Sequence, residues 1–260
     1  MSSPTTGLTV YPTPPATTPP VTTGPAWESF EVDFTAMDVG SVLGGTTALD
    51  VVGGGTINAT SYRDAYADDV TILGGVGLQI LPKVNANYNS DTPGIYGIDL
   101  RDQWADFDPA LDEFAVLVDA DCTPMNDAYH GFGVVIYDAT GGLPSQRVDA
   151  GCLYDGGAQR YRQLIAGGTA YTAGVQRPWV LLHAQRLSCR VAFETAEPVD
   201  PTDTTEVDCF SLYARNPGGG ANPYTAARTR VAFVALRGPS ATRPTITCRK
   251  MKFFRRRIGA

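Results

Sequence analysis

After residue 26 the chain breaks into short runs that are either continuously apolar or alternate apolar with polar residues, punctuated by Gly, Pro, Asn and Asp. Such runs predict strands, because successive side chains on a strand point to opposite faces. They fall at 28–36, 77–81, 94–100, 113–120, 131–137, 178–182, 189–193, 208–214, 229–236 and 245–254. In the first, Phe30, Val32 and Phe34 share one face; in the fourth, Phe114, Val116 and Val118 do. Hardly any segment repeats its apolar residues at 3.6-residue spacing over a helical length, and 158–165 (AQRYRQLI) is the best short helical candidate. The pattern predicts an all-β chain with residues 27–260 forming one domain, a two-sheet antiparallel β-sandwich. No fixed internal period points to a propeller or solenoid.

Residues 1–26 differ from everything that follows. They are built from Thr, Pro, Ser and Gly, with no acidic or basic side chain and few large apolar ones. Proline removes amide donors and fixes φ, so a helix is excluded, and the segment has too little apolar surface to collapse. It reads as an extended arm of polyproline character.

Composition narrows the classes. The 260 residues are 43% hydrophobic and 18% charged, with 28 Gly and 19 Pro, as in a turn-rich globular protein. Charges or prolines interrupt every apolar run before the roughly 18 residues of a membrane helix. A net charge of -7 argues against coating nucleic acid. The basic residues are unevenly placed, however: residues 249–257 (RKMKFFRRR) hold six of the 20, and no acid. This segment is attracted to the rest of the molecule or to an acidic neighbour, or it is a last strand with solvated charges.

Five cysteines, at 122, 152, 189, 209 and 248, lie far apart without a C-x-x-C pair. That spacing fits neither a zinc site nor a disulfide framework. The opening MSSPTTGLTV lacks the basic and apolar regions of a secretory signal. The expectation is a protein made in a cytoplasm, with reduced and mostly buried thiols.

Catalytic sets are scarce. There are two histidines and no G-x-S-x-G, and the carboxylates at Asp106, Asp108, Asp200 and Asp203 sit in turn-like company where they cap loops. No catalytic residue is assigned. The most informative stretch is 113–137, EFAVLVDADCTPMNDAYHGFGVVIY. Asp119 and Asp121 are two apart on a strand and share a face. Both can aim oxygens at one hard cation while Asn126 and Asp127 return from the loop, which would make a calcium-type site; an ordinary hairpin loop is the alternative. Sugar binding needs aromatic faces with amides or carboxylates nearby. The best cluster is Tyr88, Asn89, Tyr96 and Trp104, and the second holds Tyr213 and Tyr224. Trp27 and Trp179 read as core or staple residues.

The run VLVDAD, then Asn126-Asp127, then His130-Gly131-Phe132-Gly133-Val134 resembles the metal-loop strand pair of the legume lectins and, more loosely, the concanavalin A-like lectin and glucanase superfamily. That pattern is acid-x-Asp, then Asn, Asp and His before a second strand. The resemblance implies a jelly-roll or lectin-like sandwich and places Asp119, Asp121, Asn126 and Asp127 as metal ligands. Asn126 and Asp127 are adjacent here, whereas the family separates them. The Glu-x-Asp-x-Glu triplet of the glucanase branch is absent, so the resemblance does not imply hydrolysis.

One role accounts for an uncharged arm, a lectin-like body without a catalytic set, no export signal and a basic terminal strand: a bacteriophage virion structural protein, such as a capsid decoration or other particle-surface component. Its partners would be other virion proteins and copies of itself, with host-surface glycans as a further contact and neither nucleic acid nor membrane. Tyr11 and Pro14 of the arm and Arg249, Lys252, Arg255 and Arg256 of the last strand would carry the assembly contacts. The alternative is a tail-associated or free-standing carbohydrate-binding module, with calcium as its one conceivable cofactor.

Overall fold

The computed structural model describes residues 25–37, 40–41, 46–50, 56–61, 69–82, 96–127, 129–138, 147–155, 157–162, 171–172, 177–185, 188–204, 206–211, 229–238 and 242–258. Among them, strands β1 (Glu28–Asp33), β2 (Gly40–Ser41), β3 (Thr46–Asp50), β4 (Thr56–Ser61), β5 (Asp69–Leu73) and β6 (Gly77–Leu81) come first. Next are β7 (Tyr96–Asp99), β8 (Asp112–Thr123), β9 (Gly131–Asp138), β10 (Arg147–Asp155), β11 (Ala158–Arg162) and β12 (Tyr171–Thr172). The remainder are β13 (Trp179–Ala184), β14 (Ser188–Glu194), β15 (Glu206–Ser211), β16 (Thr229–Leu236) and β17 (Thr245–Arg257). The described residues contain no α-helix, and their one helical turn is a 3-10 turn at Leu100–Asp102.

The strands form two antiparallel sheets. A nine-stranded sheet runs β15-β14-β13-β8-β17-β6-β5-β2, and an eight-stranded sheet runs β12-β11-β10-β9-β16-β7-β4-β3. In the first, β17 is the axis. It pairs with β8 along its length, while its other side is shared by β6, opposite Ile246–Cys248, and β1, opposite Lys250–Arg255. The all-β two-sheet sandwich expected from the hydrophobic pattern is the observed architecture.

Alternation decides which side chains fill the space between the sheets. Phe114, Val116, Val118, Ala120 and Cys122 of β8 point there, with Met251 and Phe253 of β17 and Val231, Phe233 and Ala235 of β16. Phe30 and Phe253 are cross-strand partners whose rings stack at 4.6 Å, and Trp104 meets Phe30 edge-on at 4.8 Å. Aromatic pairs of this geometry add about 0.5–1.5 kcal/mol beyond their buried area. The reverse faces are also apolar at their centres. Ala115, Leu117, Leu181, Ala192 and Phe254 gather outside the larger sheet beneath Trp27 and Trp179, and Val135, Leu153, Ala232, Val234 and Leu236 gather outside the smaller one. Strands buried on both faces read as continuous apolar runs, which is how β8 and β16 appear in the sequence.

Two differences from the sequence pattern stand out. Residues 158–162, inside the helical candidate, form β11 and pair with β10, from Asp155 opposite Ala158 to Gly151 opposite Arg162. Gly157, at φ +86°, supplies the left-handed conformation that reverses the chain between them. Strands β2 to β5 and β10 to β12 were also not anticipated, because runs such as TTALD and TINATS carry too few apolar residues to mark a face.

Candidate functional site

Each cation of β17 pairs with at least one acid of its own chain. Arg255, 9% exposed, reaches Glu28 at 2.8 Å and Asp106 at 2.5 Å, and its guanidinium lies 5.2 Å from the centre of the Trp104 ring. Arg256 bonds Glu113 at 2.5 Å, and Arg257 bonds Asp112 at 2.7 Å. Lys250 pairs with Glu31 at 3.1 Å, and Lys252 lies 3.4 Å from Glu197. Arg249, Lys252, Arg255 and Arg256, expected to carry assembly contacts, thus meet acids of their own chain, on β1, β8 and the segments around Asp106 and Glu197. Tyr11 and Pro14, the other assembly candidates, lie outside the described residues.

Two residues of the expected cation site, Asp119 and Asp121, meet a cation of the chain itself. β17 carries a bulge, since Cys248 is opposite Ala120 while Lys250 is opposite Asp119, leaving Arg249 as the extra residue. A bulge re-aims the side chain it frees. Here it turns Arg249 onto β8, where Nη2 and Nε hold Asp119 at 2.6 and 2.9 Å and Nη1 bonds Asp121. The two aspartates do converge, as their spacing predicts, but on a guanidinium. Asn126 is exposed, and the carbonyl of Asp127 accepts the amide of His130 at 3.0 Å. Among the described residues no group of three or more His, Cys, Asp or Glu side chains could hold a metal ion.

Of the expected sugar-stacking residues, Tyr88, Asn89, Tyr213 and Tyr224 lie outside the described residues, and Tyr96 is placed only as the first residue of β7. Trp104 is 7% exposed and enclosed by Phe30 and Arg255. It packs in the core between the sheets.

A different cluster forms an open groove of about 560 Å³ on the outer side of the nine-stranded sheet. That volume is within the range of small-ligand pockets. Phe254 and Arg256 of β17 and Trp27, just before β1, form one part of it; Val199, Asp200 and Thr202, in the segment after β14, form another. Trp27 is held from three directions. Its ring meets His183 edge-on at 5.5 Å and Phe254 at 6.3 Å, and the Arg256 guanidinium sits 4.5 Å from the ring centre.

Arg256 is itself fixed from below. It stands directly opposite Glu113 in the β17–β8 register, and its Nε donates to Glu113 Oε2. Glu113, 5% exposed, also accepts from His183 Nε2 at 2.9 Å and Gln185 Nε2 at 3.0 Å. Burial alone would raise this carboxyl, but the bonds from His183 and Arg256 outweigh it and hold it at about 2. With Nε engaged, the terminal amino groups of Arg256 have no hydrogen-bond partner among the described residues. Asp200 is held by a local turn: its Oδ1 accepts from Thr202 N at 2.7 Å and Thr202 Oγ1 at 2.6 Å. Burial pushes this carboxyl up, and the Thr202 bonds, the Asp203 amide and the Arg256 charge bring it below its ordinary value. Asp200 lines the groove, and both Thr202 bonds fall on its Oδ1.

Sequence reasoning placed Trp27 as a staple and Asp200 as a loop cap, which both are, without seeing that they meet. The signals were Glu113 and Arg256, charged residues within β-rich apolar runs, where the cost of burying charge requires a partner.

No protein-family model matches the chain, and no curated protein does. Solved structures do. The GH43 protein BlXynB of Bacillus licheniformis, in a mutant form, superposes with a TM-score of 0.51 at 12% identity over 86% of this chain, which spans 38% of that protein's length. Peanut lectin gives 0.43 at 12% identity, covering 90% of this chain and 100% of the lectin. Lectin II from Ulex europaeus gives 0.41 at 11%, covering 88% and 98%. At such identities the likeness is one of fold, and the fold is a two-sheet antiparallel β-sandwich.

Proposed function

We propose that this chain is a lectin-like module that binds carbohydrate and does not hydrolyse it. The observation that carries the reading is the groove at Trp27, where an aromatic ring, a guanidinium held by Glu113 and a carboxylate held by Thr202 converge on one open space. Those are the groups that recognise a sugar, with a ring for its apolar face and donors and acceptors for its hydroxyls. Hydrolysis would require a carboxyl kept protonated as general acid near neutral pH. Glu113 and Asp200 are both shifted the opposite way.

The particle-surface role keeps the Pro/Thr-rich arm in its support, but the basic strand no longer adds to it. A glycan array probed with the full chain tests the module reading. Binding should be lost at least tenfold in Trp27→Ala, and in Asp200→Ala as a second variant outside the sheets, with no sugar released on prolonged incubation. Absence of binding across neutral, acidic and amino-sugar glycans would refute the reading.

A further inference from the structure

The groove also indicates the kind of sugar, an inference that rests on the carbohydrate reading above. We infer that it selects uncharged sugars through a vicinal diol, one hydroxyl donating to Asp200 Oδ2 while its neighbour accepts from the terminal amino groups of Arg256.

The argument begins with charge. Arg256 is the one cation among the groove-forming residues, and it is matched twice, by Glu113 in direct contact and by Asp200 across the groove. The neighbouring cations on the same face are also matched. Lys252 pairs with Glu197, and Lys250 with Glu31 and Glu197. Among the described residues of this face an anionic sugar therefore finds no cation without a carboxylate partner. Its carboxylate or sulfate would lie beside Asp200, a fixed anion whose carboxylate oxygens can only accept hydrogen bonds.

The second step is donor and acceptor matching. A hydroxyl both donates and accepts, so two adjacent hydroxyls can satisfy Asp200 and Arg256 at once. A carboxylate cannot donate and would leave Asp200 desolvated and unpaired, which is costly. The supports are rigid on both sides: the Arg256 Nε bond to Glu113 fixes the guanidinium plane, and two Thr202 bonds to Oδ1 fix the Asp200 carboxylate. Val199, 75% exposed, adds apolar surface beside Asp200 for the face of the ring.

The test is a titration of the full chain with two matched glycan sets, neutral hexose oligosaccharides and their uronate, sialylated or sulfated counterparts, repeated with Asp200→Asn. Neutral glycans should bind at least tenfold more tightly than acidic ones. Asp200→Asn, checked for folding by circular dichroism, should narrow that ratio by weakening the neutral set and admitting the acidic set. A preference for acidic glycans, or a ratio unchanged in Asp200→Asn, would overturn the diol inference and leave the carbohydrate reading standing. No binding to either set would remove both.

Discussion

The Arg249 guanidinium lies side by side with the Asp119 carboxylate, Nη2 2.6 Å from Oδ1 and Nε 2.9 Å from Oδ2, in the two-pronged geometry of the strongest ion pairs. The same group reaches Asp121, so one bulged residue occupies the place between two aspartates that a hard cation would otherwise take. The positive charge these carboxylates need is supplied by the chain itself.

Millimolar calcium should therefore leave the thermal midpoint of the protein unchanged. Arg249→Ala should lose about 1–3 kcal/mol, since charged hydrogen bonds are removed and two neighbouring carboxylates are left to repel. In that variant calcium should recover part of the loss by mass action. Thermal melts with and without calcium provide the check, and a calcium-dependent rise in the unaltered protein would contradict the account.

Glu113 makes stability depend on acid. Its folded carboxyl sits at about 2, below its ordinary value of 4.5, so the folded state binds this proton less readily than the unfolded chain does. The contribution is complete above about pH 4.5 and is lost as pH falls toward 2. Glu113→Gln should be destabilised by about 2–4 kcal/mol at neutral pH, because the amide removes the negative charge and one of the two oxygens that accept from Arg256 and His183, and its stability should fall less between pH 4.5 and 2. Denaturant melts at several pH values compare the two slopes, and equal slopes would show that Glu113 is not the titrating group.

The strands that hold this network were legible in the sequence, while the network itself was not. The run at 113–120 lies within β8 and that at 245–254 begins β17, and β8, buried on both faces through its first half, leaves an apolar signature that needs no knowledge of partners. The convergence of Asp119 and Asp121 also follows from strand alternation. What fills the space between them depends on a bulge at Arg249, set by pairing with a strand more than a hundred residues away, and local spacing carries no trace of that. The groove was hidden for the same reason, as it joins Trp27, Asp200 and Arg256 from three distant parts of the chain. Trp104 misled in the other direction: polar neighbours in sequence made it look like a loop platform, whereas Phe30 and Arg255 enclose it.

Gly131, at the start of β9, has no room for a side chain. A Cβ there would run into the carbonyl oxygen of Cys152 and the Cα of Leu153 on the neighbouring strand, both rigid backbone. Gly131→Ala should cost at least about 2 kcal/mol, which for a chain of this size is a fall of several degrees in midpoint. A melt indistinguishable from the parent would show that β9 and β10 are less closely apposed.

The thiols at Cys122, Cys152, Cys189 and Cys248 are buried and form no disulfide among the described residues. Burial pushes the Cys122 and Cys248 thiols well above their ordinary range, and only the thiolate reacts. An alkylating reagent at pH 8 should leave these four unmodified in the native protein and label all of them in denaturant. Mass spectrometry of the digests reads this out, and rapid native labelling at Cys122 or Cys248 would mean that the space between the sheets is open to solvent.

The central place of β17 also shapes how the molecule comes into being. Its contacts tie the two ends of the folded region together, as in the pairing of Arg255 with Glu28, 227 positions apart. Until residues 245–257 have emerged from the ribosome, β1, β6 and β8 each wait with an open hydrogen-bonding flank, and closing such long loops is slow. The nascent chain thus passes through a stage with sticky, half-built edges, when chaperones would have most to do.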